Sequence, residues 1–167
     1  MGSFNTGKPE VCKWIMERFS KGSTCLDVGA CDGKWAKLLG DYLIMDGIEI
    51  YSPYVRKWKA YKFYREFFVS DIRQFKYKRY DLIIFGDVLE HMSVEDAQMV
   101  LDYAWDRCRD LIVAVPYRFK QGEKNGNPYE VHIQDDLTWQ IMKDRYPKLK
   151  PLYITPEYGY YTKGFGL

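Results

Sequence analysis

Apolar residues follow two rhythms along this chain. Short continuous runs recur at Cys25-Leu26-Asp27-Val28, Gly47-Ile48-Glu49-Ile50-Tyr51, Phe67-Phe68-Val69, Tyr80-Asp81-Leu82-Ile83-Ile84-Phe85 and Leu111-Ile112-Val113-Ala114-Val115. Between most of them, apolar residues return every three or four positions: Val11, Trp14, Ile15 and Phe19, then Trp35, Leu38 and Leu39, then Tyr54, Trp58, Tyr61, Tyr64 and Phe68, then Ala97, Val100, Leu101, Ala104 and Cys108. The first rhythm marks strands covered on both faces and the second marks helices with one buried stripe. Their alternation predicts an α/β fold around a parallel sheet. After Leu152–Thr155, the turn Pro156-Glu157-Tyr158-Gly159 leads into Tyr160–Lys163, which predicts a closing antiparallel hairpin.

Punctuation agrees with this plan. Pro9 suits a first helical turn, and Ser52-Pro53 opens a helix expected over 53–66. Gly40 ends the helix after Trp35. Ser93 with Asp96 forms a capping box for the helix that follows strand 4. Asp135 or Asp136 is the expected cap of a last helix carrying Leu137, Ile141 and Tyr146. Residues 1–8 read as a loose arm before a single domain over 1–167. Residues 117–134 carry glycine, asparagine and lysine with little periodicity, and a loop of that length is often functional.

Residues 24–36, TCLDVGACDGKWA, decide which ligand to look for. A strand, a turn of small residues and a helix bring bare backbone close to a nucleotide-like molecule. The dinucleotide fingerprint G-x-G-x-x-G fails at Cys31 and Lys34. The phosphate loop fails too, because Gly29 is one residue too close to Gly33-Lys34 and Trp35 stands where a hydroxyl should hold magnesium. A plain strand-turn-helix without a ligand is the competing reading. Glu49 follows the turn by about twenty residues, at the end of the second strand, where a carboxylate can accept from both ribose hydroxyls. Asp71 closes the third strand and Asp87 the fourth. In such a sheet ligands sit beyond the carboxyl ends of the strands, so these acids converge on one crevice.

With its acid followed by G-x-C-x-G, the stretch Asp27, Gly29, Cys31, Gly33 resembles motif I of the class I S-adenosylmethionine-dependent methyltransferases, which most often have glycine where Cys31 stands. Asp87-Val88-Leu89-Glu90-His91-Met92 resembles the end of strand 4 in many small-molecule members. The resemblance runs from Ser23 to the end of the chain. It implies a Rossmann-like domain with a mostly parallel seven-stranded sheet and a C-terminal antiparallel hairpin. It implies S-adenosylmethionine as cofactor, held by Asp27, Gly29, Ala30, Cys31 and Gly33, by Glu49 and Ile50 at the ribose, by Asp71 and Ile72 at the adenine, and by Asp87 and Val88. Where the acceptor must lose a proton, His132, His91 and Tyr117 are the candidate catalytic groups.

Composition narrows the rest. The net charge is +2 with 29% charged residues, so no global field directs the chain to nucleic acid or membrane. Arg56, Lys57, Lys59, Lys62 and Arg65 nevertheless make the helix expected over 53–66 basic, so RNA methylation is an alternative, with nucleic acid possible but not favoured. A catalytically inactive module that binds S-adenosylmethionine or a nucleotide is the other. No Asn/Asp-Pro-Pro-aromatic motif follows strand 4 and no Pro-Cys pair occurs, which leaves a small molecule or sugar as the expected acceptor. Four cysteines without a C-x-x-C pair read as free thiols in a cytoplasmic protein. With two histidines, no metal site is expected. The N-terminus lacks a signal peptide's apolar core and no run is long enough to span a membrane.

Overall fold

The computed structural model describes residues 5–164. Its sheet runs in the order β3-β2-β1-β4-β5-β7-β6. The strands are β1 (Thr24–Val28), β2 (Ile44–Glu49), β3 (Glu66–Val69), β4 (Tyr80–Gly86), β5 (Cys108–Pro116), β6 (Lys150–Ile154) and β7 (Tyr158–Thr162). β1 to β5 are mutually parallel, and β7 enters antiparallel between β5 and β6. The expected seven-stranded sheet and closing hairpin are therefore present.

Side chains of a strand alternate between faces, and this sheet uses both. Leu82 and Ile84 of β4, with Ile112 and Ala114 of β5, face a core shared with helix α1 (Lys8–Arg18) and helix α2 (Lys34–Leu39). Ile83 and Phe85, with Leu111, Val113 and Val115, face the opposite core with helix α4 (Val94–Trp105) and Met142 of helix α5 (Trp139–Arg145). Ser93 caps α4 as expected, its hydroxyl accepting from the Asp96 N–H at 3.1 Å.

Three expectations need correction. The helix foreseen over 53–66 stops early: α3 (Ser52–Trp58) ends where Lys59 takes φ 51°, and a 3-10 turn, Ala60–Phe63, follows. Its aromatic stripe is consequently split. Tyr54 and Tyr64 are buried, whereas Trp58 and Tyr61 stand exposed. The cap of α5 is Thr138, whose hydroxyl accepts from Ile141 N–H at 3.1 Å. Asp136 instead pairs with Arg145. Of the arm expected over 1–8, residues 1–4 lie outside the described residues. Lys8 belongs to α1, is buried, and sits 4.7 Å from the centre of the Trp35 ring. The Thr6 carbonyl accepts from the Tyr160 hydroxyl at 2.8 Å.

Candidate functional site

A cavity of about 420 Å³ opens at the carboxyl ends of β1, β2 and β4. The β1–α2 turn forms its floor. Gly29 and Ala30 N–H groups donate to Ile48 O at 2.9 and 3.0 Å, which fastens the turn to the end of β2. Gly29 has φ 72°, and a Cβ there would lie 2.6 Å from Cγ2 of Val88, so only a bare backbone fits. Cys31 takes φ 44° despite its side chain. Asp87, at the end of β4, has φ 56°. Two residues held in this sparsely populated region face one cavity, the kind of local strain that collects at functional sites.

Glu49 braces the same turn. Its Oε2 accepts from Cys31 N–H at 3.0 Å and its Oε1 from Tyr51 N–H at 2.9 Å. Burial raises its carboxyl above the ordinary glutamate value, while these two N–H groups pull the other way. Each oxygen keeps a further lone pair for a ligand. Burial, then the neighbouring Glu49 and Asp32, pushes the Cys31 thiol up to about 12, so it is no thiolate nucleophile at neutral pH.

Asp71 and Ile72 line the cavity beyond β3, but Asp71 already takes Arg73 in a two-pronged contact at 2.6 and 3.0 Å. Ile50 and Val88 also line it. Asp87 accepts a short hydrogen bond from the Tyr158 hydroxyl. Two of the expected cofactor residues do not reach the lining, Asp27 and Gly33. Asp27 is 1% exposed and accepts from the Tyr64 hydroxyl at 2.5 Å. Gly33 precedes α2, with Phe63 against it.

The catalytic candidates separate in the same way. His91 and His132 both face the cavity with ring centres 4.7 Å apart, although 41 positions separate them in the chain (132 − 91). Burial, with the neighbouring His132 next, lowers His91 to about 4, and burial lowers His132 as well. Both imidazoles are therefore neutral near pH 7. Tyr117 lies outside the lining, its hydroxyl bonded to that of Tyr161 behind β5.

Residues 117–134 close one side of the cavity, contributing Phe119, Gln121, Lys124, Asn127, Tyr129 and Glu130. The loop is fastened at its tip, where the Tyr51 hydroxyl donates to Gly126 O at 2.9 Å. Its composition hinted at this role; its individual contacts carry no local sequence signal. Glu90 is the residue that sequence reasoning passed over. In the sequence it stands within the string after β4 without a signal of its own, yet it is buried and lines the cavity beside both histidines.

The strand order and the crevice decide the comparison with known structures. This chain has the class I methyltransferase fold. A S-adenosylmethionine-dependent methyltransferase from Clostridium acetobutylicum superposes with a TM-score of 0.68 at 9% identity, over 91% of this chain and 87% of that one. An amino pentose methyltransferase from Micromonospora echinaspora, solved with S-adenosylmethionine, gives 0.65 at 10% identity over 93% and 89%. Magnesium protoporphyrin IX methyltransferase from Synechocystis, with S-adenosylmethionine bound, gives 0.61 at 19% identity over 92% and 76%. No family model matches the sequence, and no curated protein sequence is similar to it. The fold is thus shared at sequence identities of 9–19%.

Among the described residues, no helix is long and apolar enough to cross a membrane. Of the basic residues singled out for nucleic acid, Arg56, Lys57, Lys59 and Lys62 stand exposed, whereas Arg65 and the basic residues that follow it in the chain, Arg73, Lys76 and Arg79, are engaged within the fold. Arg65 grips Asp46, Arg73 joins Asp71 and Asp96, and Arg79 donates to Asp106 O. Lys76 lies over Tyr103 and Lys57 over Trp58.

Proposed function

We propose that this protein is a S-adenosylmethionine-dependent methyltransferase acting on a small molecule or a sugar. The observation that carries the reading is the convergence of the Gly29–Cys31 turn, Glu49, Asp71-Ile72 and Asp87-Val88 on one cavity. Its volume suits a small-ligand site. The cofactor fits on a structural ground: Gly29 keeps the turn bare against Val88, and Glu49 ends β2 with lone pairs to spare. Neighbours of the same fold methylate a sugar and a porphyrin, which supports a small acceptor. The engagement of Arg65, Arg73 and Arg79 within the chain counts against nucleic acid.

When bound, S-adenosylmethionine supplies an already activated methyl group on a sulfonium. Transfer of that methyl would leave an uncharged thioether, and any proton on the acceptor would have to be taken up by a nearby group or solvent. This chain's contribution is alignment and exclusion of water. Glu49 would accept from the ribose hydroxyls, and Ile72 and Asp71 would border the adenine. The segment 117–134 would shield the reacting end. His91 and His132 face that end as neutral imidazoles. Burial keeps their basicity low, so as bases they suit an acceptor whose proton is already acidic. Four free cysteines are consistent with a reducing, cytoplasmic setting.

The test is thermal unfolding with S-adenosylmethionine or its demethylated product, on the parent and on Glu49→Gln. Ligand at about 100 times its dissociation constant stabilises by about 2.7 kcal/mol, which raises the midpoint by about 5–10 °C. The shift is expected in the parent and lost in the variant. A folded parent that shows none overturns the reading. Cofactor binding with no methyl transfer to any acceptor in a broad panel identifies a binding module instead.

A further inference from the structure

Three side chains at the acceptor end of the cavity are arranged as ligands. A 3-10 turn, Leu89–His91, follows β4 and presents Glu90 and His91. An extended segment brings His132 against it. Ile133 and Gln134 N–H groups both donate to Glu90 O at 2.8 and 3.0 Å. The Gln134 side-chain amide donates to Leu89 O and Met92 O at 2.9 and 3.1 Å. The segment and the turn are thus held as one unit.

The histidines are oriented from behind. His91 Nδ1 lies 3.1 Å from Val131 O, and His132 Nδ1 lies 2.6 Å from Phe119 O. A carbonyl only accepts, so each Nδ1 carries the proton and each Nε2 keeps a lone pair. This is the support that metal-binding histidines ordinarily receive. One nitrogen of each ring and one Glu90 oxygen all lie within 4.8 Å of one another. Ligands around an ion at 2.0–2.1 Å sit about 3–3.5 Å apart, so small side-chain rotations close the set.

Glu90 is the independent observation. It is 1% exposed, and neither carboxylate oxygen has a hydrogen-bond partner on another described residue. Burying a polar group without a partner costs several kcal/mol, and a buried carboxylate is stable when it is neutralised or meets a cation. The surrounding fold spends hydrogen bonds on the main chain of Glu90 and leaves its carboxyl group beside the two histidines without a partner on any other described residue.

We propose that Glu90, His91 and His132 bind one divalent transition-metal ion, with open coordination positions facing the cavity. Two imidazoles and one carboxylate select zinc, manganese, iron or cobalt in the divalent state over magnesium or calcium, which prefer oxygen ligands. The role of the ion rests on the methyltransferase reading; its binding does not. An acceptor oxygen or nitrogen on an open position would become more acidic and be held in line with the methyl group. The ion, rather than an imidazole, would then ease departure of the acceptor's proton, which passes to solvent.

The experiment uses tag-free protein stripped with chelator, without S-adenosylmethionine or acceptor, titrated with Zn²⁺ alone and with Mn²⁺ alone in a calorimeter. One equivalent is expected to bind to the parent, and His132→Ala and Glu90→Gln are expected to weaken it at least about 100-fold, the most that loss of an outer-shell partner usually costs. Parent and variants are compared by circular dichroism. The chain has only two histidines, so nitrogen-15 histidine spectra provide a readout that needs no variant. Both Nε2 signals should move together and saturate at one equivalent of Zn²⁺. A parent that binds neither ion, variants that bind as tightly as the parent, or signals that move only at large excess overturn the proposal. Failure of S-adenosylmethionine to shift unfolding overturns the cofactor reading and leaves this result standing, and the converse also holds.

Discussion

Asp27 offers a sharp test of how this fold treats charge. It sits in β1 between Gly47 of β2 and Ile84 of β4, 1% exposed, with the Tyr64 hydroxyl 2.5 Å from Oδ2. Burial raises its carboxyl from the ordinary 3.8 to about 7; the Tyr64 hydrogen bond and Lys8 pull it down, and Glu49 and Asp32 push it up. A raised acid favours the folded state when protonated. Its contribution is fully present below 3.8, declines as pH rises through about 7, and is constant above that. At 1.36 kcal/mol per pH unit, the gap amounts to about 4 kcal/mol. Asp27→Asn has nearly the same shape, keeps an oxygen for Tyr64 and cannot ionise. The variant's stability relative to the parent should therefore improve by about 4 kcal/mol between about pH 4 and pH 8. That corresponds to a midpoint change of about 8–16 °C. Urea unfolding followed by tryptophan fluorescence at each pH supplies the difference, in which titrations common to both proteins largely cancel. An unpaired amide N–H in the variant would offset the whole curve without changing its slope. A difference that stays flat across this range would refute the argument that Asp27 is buried at the expense of its charge.

Two further outcomes follow from geometry. Gly29→Ala would place a Cβ 2.6 Å from Val88 Cγ2 at φ 72°. It should cost about 2 kcal/mol and lower the midpoint by about 4–8 °C, and a variant as stable as the parent would show that the turn has room to spare. Arg65 holds the fully buried Asp46 at 2.9 and 2.6 Å, with the Tyr80 hydroxyl at 2.8 Å. Burial alone would raise Asp46, but these hydrogen bonds bring it below the ordinary aspartate value of 3.8. Arg65 is itself 40% exposed, so Arg65→Ala should cost about 2 kcal/mol rather than the full value of a buried pair. A depressed acid contributes stability above 3.8 and loses it as pH falls through its folded value. The Arg65→Ala penalty should therefore be full near pH 7 and shrink below about pH 4 in urea titrations; an equal penalty at both would contradict the pairing.

What sequence revealed and what it concealed differ by range of interaction. Leu82 to Phe85 announced a strand because a sheet covered on both faces needs an unbroken apolar run. Ser93 and Asp96 announced a cap because both partners lie within one helical turn. The end of α3 at Lys59 had no such local warning: a lysine in the left-handed region breaks no pattern, and the aromatic stripe continued past it at helical spacing. Asp135 and Asp136 were sound caps by residue type, yet Asp136 is taken by Arg145, nine positions away, and Thr138 caps instead. Tyr117 stood at the end of a strand where a catalytic group is often placed, but its hydroxyl turns to Tyr161 on the strand paired beside it. The acidic strand ends were found because the carboxyl ends of a parallel sheet gather in one place whatever the loops do. The cluster of Glu90, His91 and His132 had no such signal, for the opposite reason. Glu90 and His91 are adjacent, but His132 reaches them only because Ile133 and Gln134 dock on the main chain of Glu90. The sequence signal that existed was scarcity: a chain with only two histidines spends both on one cavity, each held through Nδ1 by a main-chain carbonyl. Holding both Nδ1 atoms in this way leaves both Nε2 lone pairs free for a ligand, as the proposed metal site requires.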